Sequence, residues 1–486
     1  MPVLPFGEFR PDVSDYSGQH TRRLLNVLPR GDGYGPFPDF SIYSAALPGV
    51  CRGYYHARNQ DGTVTIFAAT STNLYKLDNT DFTWDLVSKV GGYTALANTD
   101  NWCFRQFNEV VIACQLNTVP QAYTLGTSAL FANLGGTPPQ ARYVDVVNRF
   151  LVLSGFDNTM PYRIHWSGYN AITTWTQGVN QCDYQDFPTG GIVRGVAGGE
   201  TGYVMSDSSV RRMTYNPGSP TVFNFDIIEE DIGLYAPTSL IRSRDRVFYL
   251  GPDGFKMLVP GGLPKGIGKE KVDRSFFGEV DASNLRLIIG VADPKATRVI
   301  WAYKSQMGSA NLFDRLLAFD WALDRWAVAN MSGEYIAALA RPGLTLEALD
   351  AISTSIETMT IPFDDIASSA LAAVSGFDSS HRLGFYTGAP LEAVIETAES
   401  SGDGKRFYIR GFRPVTDAAT VYGKISKREL ASDLPSYSPE KLINRIGSVP
   451  VHVDTRFVRG IIRIPAGTSW TYAAGVEPDS RPSGGQ

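Results

Sequence analysis

The chain has 486 residues, 43% hydrophobic and 12% aromatic, with 44 Lys+Arg against 49 Asp+Glu for a formal charge of −5. That composition supports substantial cores and excludes wholesale disorder, and its balance excludes a protein held to nucleic acid by bulk positive charge. Charged residues are only 19% while glycine (48) and proline (29) abound, which predicts many turns and few long solvated helices.

The opening Met1-Pro-Val-Leu-Pro-Phe-Gly-Glu8 lacks the basic and apolar regions of a secretory signal. No apolar run approaches the roughly eighteen residues of a membrane span. Folding in a cytoplasm, with no membrane span, is the expectation. Residues 1–44, with Leu24-Leu-Asn-Val-Leu-Pro29 and Gly33-Tyr-Gly-Pro36, hold too little apolar content to fold alone and read as an extended arm.

From 45 to about 340 the sequence is a succession of short β-branched and aromatic runs broken by Gly, Asn, Asp and Pro. Thr63-Val-Thr-Ile-Phe-Ala68, Glu109-Val-Val-Ile-Ala113, Arg149-Phe-Leu-Val-Leu153 and Thr297-Arg-Val-Ile-Trp-Ala-Tyr303 are examples. This is the strand signal at the density of an all-β architecture. A repeat lies inside it: Leu74-Tyr-Lys-Leu-Asp78 precedes Trp84 as Leu316-Leu-Ala-Phe-Asp320 precedes Trp326. A looser copy runs from Arg212 to Phe223, and Trp166 to Trp175 is another. Each copy reads as a hairpin whose aromatic packs on a neighbouring sheet, so Trp84, Trp175, Phe223 and Trp326 are expected in interblade core. The intervals suit a period of roughly 45 to 50 residues, that of a propeller blade. A β-propeller of six or seven blades is therefore predicted over 45–385.

A helix over 311–323 competes locally, because Leu312, Phe313, Leu316, Leu317 and Phe319 show helical spacing. The repeated aspartate-to-tryptophan spacing favours strands there. Residues 344–373, rich in Ala, Ser, Leu and Thr, read as helical turns or a long closing loop. Polar–apolar alternation in Arg406-Phe-Tyr-Ile-Arg410 and Phe457-Val-Arg-Gly-Ile-Ile-Arg-Ile464 predicts a C-terminal antiparallel β-sandwich over 386–475, and 476–486 reads as a disordered tail.

Charge is segregated: residues 342–404 hold ten acids and one base, and 405–463 hold twelve bases and five acids. Opposite patches on one chain suit head-to-tail contacts between subunits, with Arg410, Arg413, Lys424, Lys427, Arg428, Arg445, Arg456 and Arg459 as candidate interface residues. Catalytic constellations are absent. Gly262 to Gly268 has the wrong spacing for a phosphate loop, and Glu270 stands where a hydroxyl is required. Cys51, Cys103, Cys114 and Cys182 show no metal-site spacing and read as free thiols, with a Cys103–Cys114 cross-strand disulfide as the lesser reading. No cofactor or metal is called for, and the chain reads as a non-enzyme. A propeller glycosidase takes its carboxylates from separate blades and leaves no local motif, so a glycan-active hydrolase or glycan-binding receptor module is the alternative.

An ordered set of short motifs carries a resemblance. It comprises Asn26-Val-Leu-Pro29 with Gly33-Tyr34, Trp166-Ser-Gly168, Asp183-Tyr-Gln185, Val210-Arg-Arg-Met213, Gly251-Pro-Asp-Gly-Phe255, Ile267-Gly-Lys-Glu-Lys-Val-Asp273 and Ile464-Pro-Ala-Gly-Thr-Ser-Trp470. In these the chain resembles the tail hub, or nozzle, proteins of short-tailed bacteriophages, also called packaged-DNA stabilisation proteins. The resemblance covers about 15 to 475 and is weakest over 344–373. It implies a propeller subunit of a sixfold ring beneath the portal and its adaptor, in a virion tail assembled in the bacterial cytoplasm. Such a ring retains packaged DNA, passes the duplex through its lumen without sequence readout, and carries a needle, spike or fibre.

Overall fold

The computed structural model describes residues 3–14, 18–340, 372–401 and 405–483. Among these the elements are almost all strands, with one α-helix at Asp273–Glu279. Seven four-stranded antiparallel sheets succeed one another and form a β-propeller. Their first strands are Gly53–Arg58, Cys103–Phe107, Tyr143–Val147, Val193–Ala197, Ile241–Ser243, Ile289–Ala292 and Tyr335–Ala340, and all seven line one central cavity. Two-residue turns join first to second strands in blades two and three. Asn108 (φ 50°) and Asn148 (φ 55°) open them in the left-handed conformation that asparagine tolerates and that matches strand twist.

Six blades are built from consecutive strands. The seventh takes Tyr335–Ala340, Ala372–Phe377 and Arg382–Pro390 from late in the chain and Pro38–Ala46 from its beginning. The outermost strand of the last blade is thus N-terminal, and it closes the ring. Residues 341–371, between the first two strands of that blade, lie outside the described residues; of the segment 344–373 only Ala372 and Ala373 are described, and they open a strand.

Each gap between blades holds its own apolar cluster. Phe67, Trp102, Phe104 and Phe131 fill the gap between blades one and two, Val152, Trp166, Met213 and Phe223 that between three and four, and Tyr54, Ile66, Phe377 and Phe385 the closing gap between seven and one. Fully burying such a side chain contributes about 1.5–3 kcal/mol. The repeated hairpins recognised in the sequence are third-to-fourth-strand hairpins: Leu77 pairs with Trp84, Tyr215 with Phe223 and Phe319 with Trp326. Trp175 differs, because it lies in the long connection before the fourth strand, Asp183–Asp186. Residues 313–320 are a strand, so the helical spacing there is incidental to two-sided burial.

The C-terminal domain is a β-sandwich. One sheet orders Val449–Thr455, Phe407–Thr416, Ala473–Pro482, Gly33–Pro36 and Val27–Arg30, and the other orders Ser436–Tyr437, Tyr422–Arg428, Phe457–Ile464, Ala393–Glu396 and Leu24–Leu25. Two expectations are corrected here. The described residues of 1–44 form no free arm: Leu4–Pro5, Leu24–Leu25, Val27–Arg30 and Gly33–Pro36 all join sandwich sheets, and Phe6, Phe9, Val27 and Tyr34 are buried. A segment too poor to form a core alone can still complete the edges of one. Nor do the described residues of 476–486 form a disordered tail, since the strand Ala473–Pro482 runs antiparallel to Phe407–Thr416 and buries Val476; residues 484–486 lie outside the described residues. Among the described residues this strand pairs on one side only from Glu477 onward, which is why its polar residues, Pro478 and Pro482 are tolerated.

The two domains share one core. Phe255, Trp301 and Trp326 of blades five and six continue through Phe6, Phe9 and Val27 into Ile409, Phe412 and Ile462 of the sandwich. Asn26, left-handed at φ 54°, sits at this joint; its Nδ2 donates to the Glu392 carbonyl (2.9 Å) and its Oδ1 accepts the Asn330 N–H (2.8 Å). Asp12 caps the helix Asp273–Glu279 by accepting the N–H groups of Arg274 (2.7 Å) and Ser275 (2.8 Å), which ties the N-terminal segment to the link between blades five and six.

Candidate functional site: the propeller channel and the basic sandwich surface

A cavity of about 1020 Å³ runs along the propeller axis. Its charges stitch blades together. Arg105 of blade two donates to both carboxylate oxygens of Asp145 in blade three (2.9 and 3.2 Å), and Asp145 also accepts the N–H of Gly198, in the turn between the first and second strands of blade four (3.0 Å). Arg242 of blade five in turn donates to the Gly198 carbonyl. Asp145 holds the Arg105 guanidinium above its ordinary range. Asp100 is paired with Arg142 (3.2 Å). Both lining carboxylates are therefore paired with arginine.

The seam between blades seven and one is also polar. Glu334, 2% exposed, accepts the Cys51 N–H (2.9 Å) through one oxygen and meets His381 Nδ1 (2.6 Å) with the other. Burial pushes its carboxyl above the usual range. Nearby, burial and then the Arg52 guanidinium lower Arg286 to about 10. Cys103 and Cys114 are cross-strand partners, and all four cysteines are free thiols.

The sequence-nominated aromatics have unequal environments. Trp326 is fully buried beside Phe255 (5.3 Å) and Trp301 (5.8 Å), and its indole N–H donates to the Ile267 carbonyl (3.1 Å). Trp175 and Phe223 are each 5% exposed, Trp175 in a cluster with Ile112 and Cys114 of blade two, and Phe223 against Phe150 (5.0 Å) and Trp166 (5.1 Å) of blade three. Trp84 is half-buried, lying on Phe377 of blade seven (5.8 Å) and donating to the Ala45 carbonyl (3.1 Å).

The eight basic residues nominated for an interface do not form one surface. Arg428 and Arg459 turn into a buried network: Arg428 grips Glu399, and Arg459 reaches Glu399 (3.3 Å) and Glu396 (3.6 Å). Those two are corrected from interface to internal residues, because the acid-rich and base-rich segments lie on adjacent strands of one sheet. Arg410 and Arg413 are exposed on Phe407–Thr416, with Arg413 opposite Glu477. Lys424 lies over the Tyr437 ring (5.4 Å), Lys427 and Arg456 are half-buried, and Arg445 is exposed in a turn. Acids Glu347, Asp350, Glu357, Asp364, Asp365 and Asp403 lie outside the described residues.

Asp273 escaped the sequence reading as an individual residue, although it ends one of the quoted motifs. Its carboxylate accepts the Phe255 N–H (3.1 Å) and occupies space that a Cβ on Gly254 or Gly268 would fill, so two glycines and an aspartate from separate motifs form one joint. Burial raises its carboxyl to about 6. The pairing of glycine-bearing motifs eighteen residues apart was the available signal, but only the fold brings them together.

No family model and no curated protein matches the chain. Among solved structures it is similar to a chain of the mitotic checkpoint complex (9% identity, TM-score 0.40, covering 76% of this chain and 95% of that one). It is also similar to the extracellular domain of the putative hybrid two-component system BT4673 from B. thetaiotaomicron (10%, TM-score 0.39, 85% and 47%). A third similarity is to the computationally designed Ika8 protein (11%, TM-score 0.37, 72% and 99%). At these scores the similarities carry no argument about function.

Proposed function

We propose that this chain is a ring-forming tail hub or nozzle subunit of a short-tailed bacteriophage, a non-enzymatic virion protein that extends the portal–adaptor channel, retains packaged DNA and carries distal tail parts. The observation that carries this reading is the ordered set of motifs from Asn26 to Trp470. One of them joins the sandwich to the propeller, where Asn26 bridges Glu392 and Asn330, and two others lock Gly254, Gly268 and Asp273 together between blades five and six, beside the helix capped by Asp12. A subunit that resists an internal genome pressure benefits from domains joined by one continuous core. The pairing of Asp100 and Asp145 with arginines weighs against the glycan-hydrolase alternative.

The test is the mass, with negative-stain images, of the purified full chain alone and with a portal–adaptor complex. Rings of six copies, alone or on the adaptor, are expected. A chain that stays monomeric and does not dock under either condition would overturn the reading.

A further inference from the structure

The seven-stranded sheet of the sandwich ends in an interrupted edge strand. Ser436–Tyr437 pairs with residues 426 and 427, and Lys441–Leu442 pairs with 422 and 423. The register advances by one residue between the two pairings, so a bulge falls at Pro439–Glu440. Tyr437 and Leu442 are an odd number of residues apart and would otherwise point to opposite faces. The bulge places both beside Tyr422 and Ser426, on the face away from the core that Ile425 enters. Leu434 (92% exposed), two residues before this edge, and Ile446 (70%), four residues after it, add exposed apolar side chains in the flanking loops. Its flanks are basic, with Lys441 and Arg445 exposed while Glu440 is neutralised by Arg463 (2.7 Å).

The complement lies on the same chain. The outer strand of blade four, Phe223–Glu230, has eight residues, where the outer strands of blades one, two, three and five have two to four. Among the described residues no strand pairs with its outer edge. Between Asn224 and Asp231 the strand and the residue after it hold four acids and no base; Asp226 is paired with Arg212 (3.0 Å) and Glu229 with Lys256 (3.1 Å), which leaves exposed Glu230 and Asp231 to present negative charge beside Ile227, 47% exposed.

We propose that the 434–446 strip of one copy docks on the outer strand of blade four in a second copy, as the head-to-tail contact of the ring. This rests on the ring reading above and identifies its surfaces. Because the two patches differ, the contact is heterologous and generates a ring when its rotation closes. Pro439 lacks an N–H and the bulge interrupts the ladder, so the contact is made by side chains rather than by extending the sheet.

The test is the association of the full chain, alone or on the portal–adaptor complex, measured by light scattering for the wild type and three variants. Circular dichroism and thermal midpoints establish that each variant is folded. Leu434→Asp with Ile446→Asp, Lys441→Glu with Arg445→Glu, and Glu230→Lys with Asp231→Lys should each weaken copy–copy association at least tenfold. The chain carrying all four charge reversals should regain most of it. Wild-type rings that none of the folded variants weakens overturn this contact while leaving the ring reading intact. Loss of adaptor docking with copy–copy association unchanged also overturns it and assigns the strip to another tail protein. A wild type that never assembles overturns both.

Discussion

Asp273 shows how a single buried carboxyl couples stability to pH. Its folded value of about 6 lies above the ordinary aspartate range, so the stability it contributes is fully present below about pH 4 and is lost as pH rises through 6. An asparagine side chain at this position would keep an acceptor for the Phe255 N–H without the charge. The variant Asp273→Asn should therefore match the wild type near pH 4 and exceed it at pH 7.5, by at most about 3 kcal/mol; thermal midpoints across that range check this, and an equal loss at both ends would mean that packing, not charge, governs the site. The tryptophans make a second residue-level comparison. Trp326→Ala should cost roughly 3–5 kcal/mol, as for other fully buried aromatics. Trp84→Ala, whose ring is half-buried, should cost about 1–2 kcal/mol. Denaturant titration separates them; equal losses, or lost affinity for a glycan at unchanged stability, would contradict the packing argument.

Elements from the two chain ends are where strand composition is least informative. Glu477-Pro-Asp-Ser-Arg-Pro482 has no apolar side chain beyond its prolines, yet its backbone pairs with Phe407–Arg413. Deleting 477–486 removes those pairings at about 1 kcal/mol per hydrogen bond, several kcal/mol in total. It also exposes the edge of Phe407–Thr416. The truncated and full chains, compared by thermal melting and soluble yield, check the assignment; equal behaviour would mean that the strand contributes nothing. Pro38–Ala46 has the same character at the other end, since it completes blade seven by pairing with Arg382–Pro390.

For the whole molecule, the ring reading proposed above requires that DNA be accommodated without being gripped. The formal charge of −5 provides no net counterion-releasing surface, and the described charge pairing uses Arg428, Arg459 and Arg463 within the chain. Binding to duplex DNA at physiological salt is expected to be weaker than about micromolar and equal for unrelated sequences. A fluorescence titration measures both quantities. Sub-micromolar affinity, or discrimination between duplexes, would show that exposed bases such as Arg410 and Arg413 grip the backbone and that the conduit is not passive.

The all-β class, the blade period and the hairpins at Trp84, Phe223 and Trp326 were legible because they depend on local spacing: strand runs, turn residues and an aromatic at a constant offset. The sandwich was legible for the same reason, from alternation over Phe457–Ile464. What sequence could not determine was pairing between distant segments. Residues 1–44 look like an arm until the sheet edges completed by Leu4–Pro5, Leu24–Leu25, Val27–Arg30 and Gly33–Pro36 are present, and 476–486 looks like a tail until the partner of the strand ending at Pro482 is beside it. Likewise Arg428 and Arg459 look like surface charge until Glu396 and Glu399 arrive on adjoining strands. Side-chain periodicity is written within each segment, but backbone hydrogen bonds and ion pairs between remote segments exist only once the chain has folded, and those contacts decided where both termini and the buried charges belong.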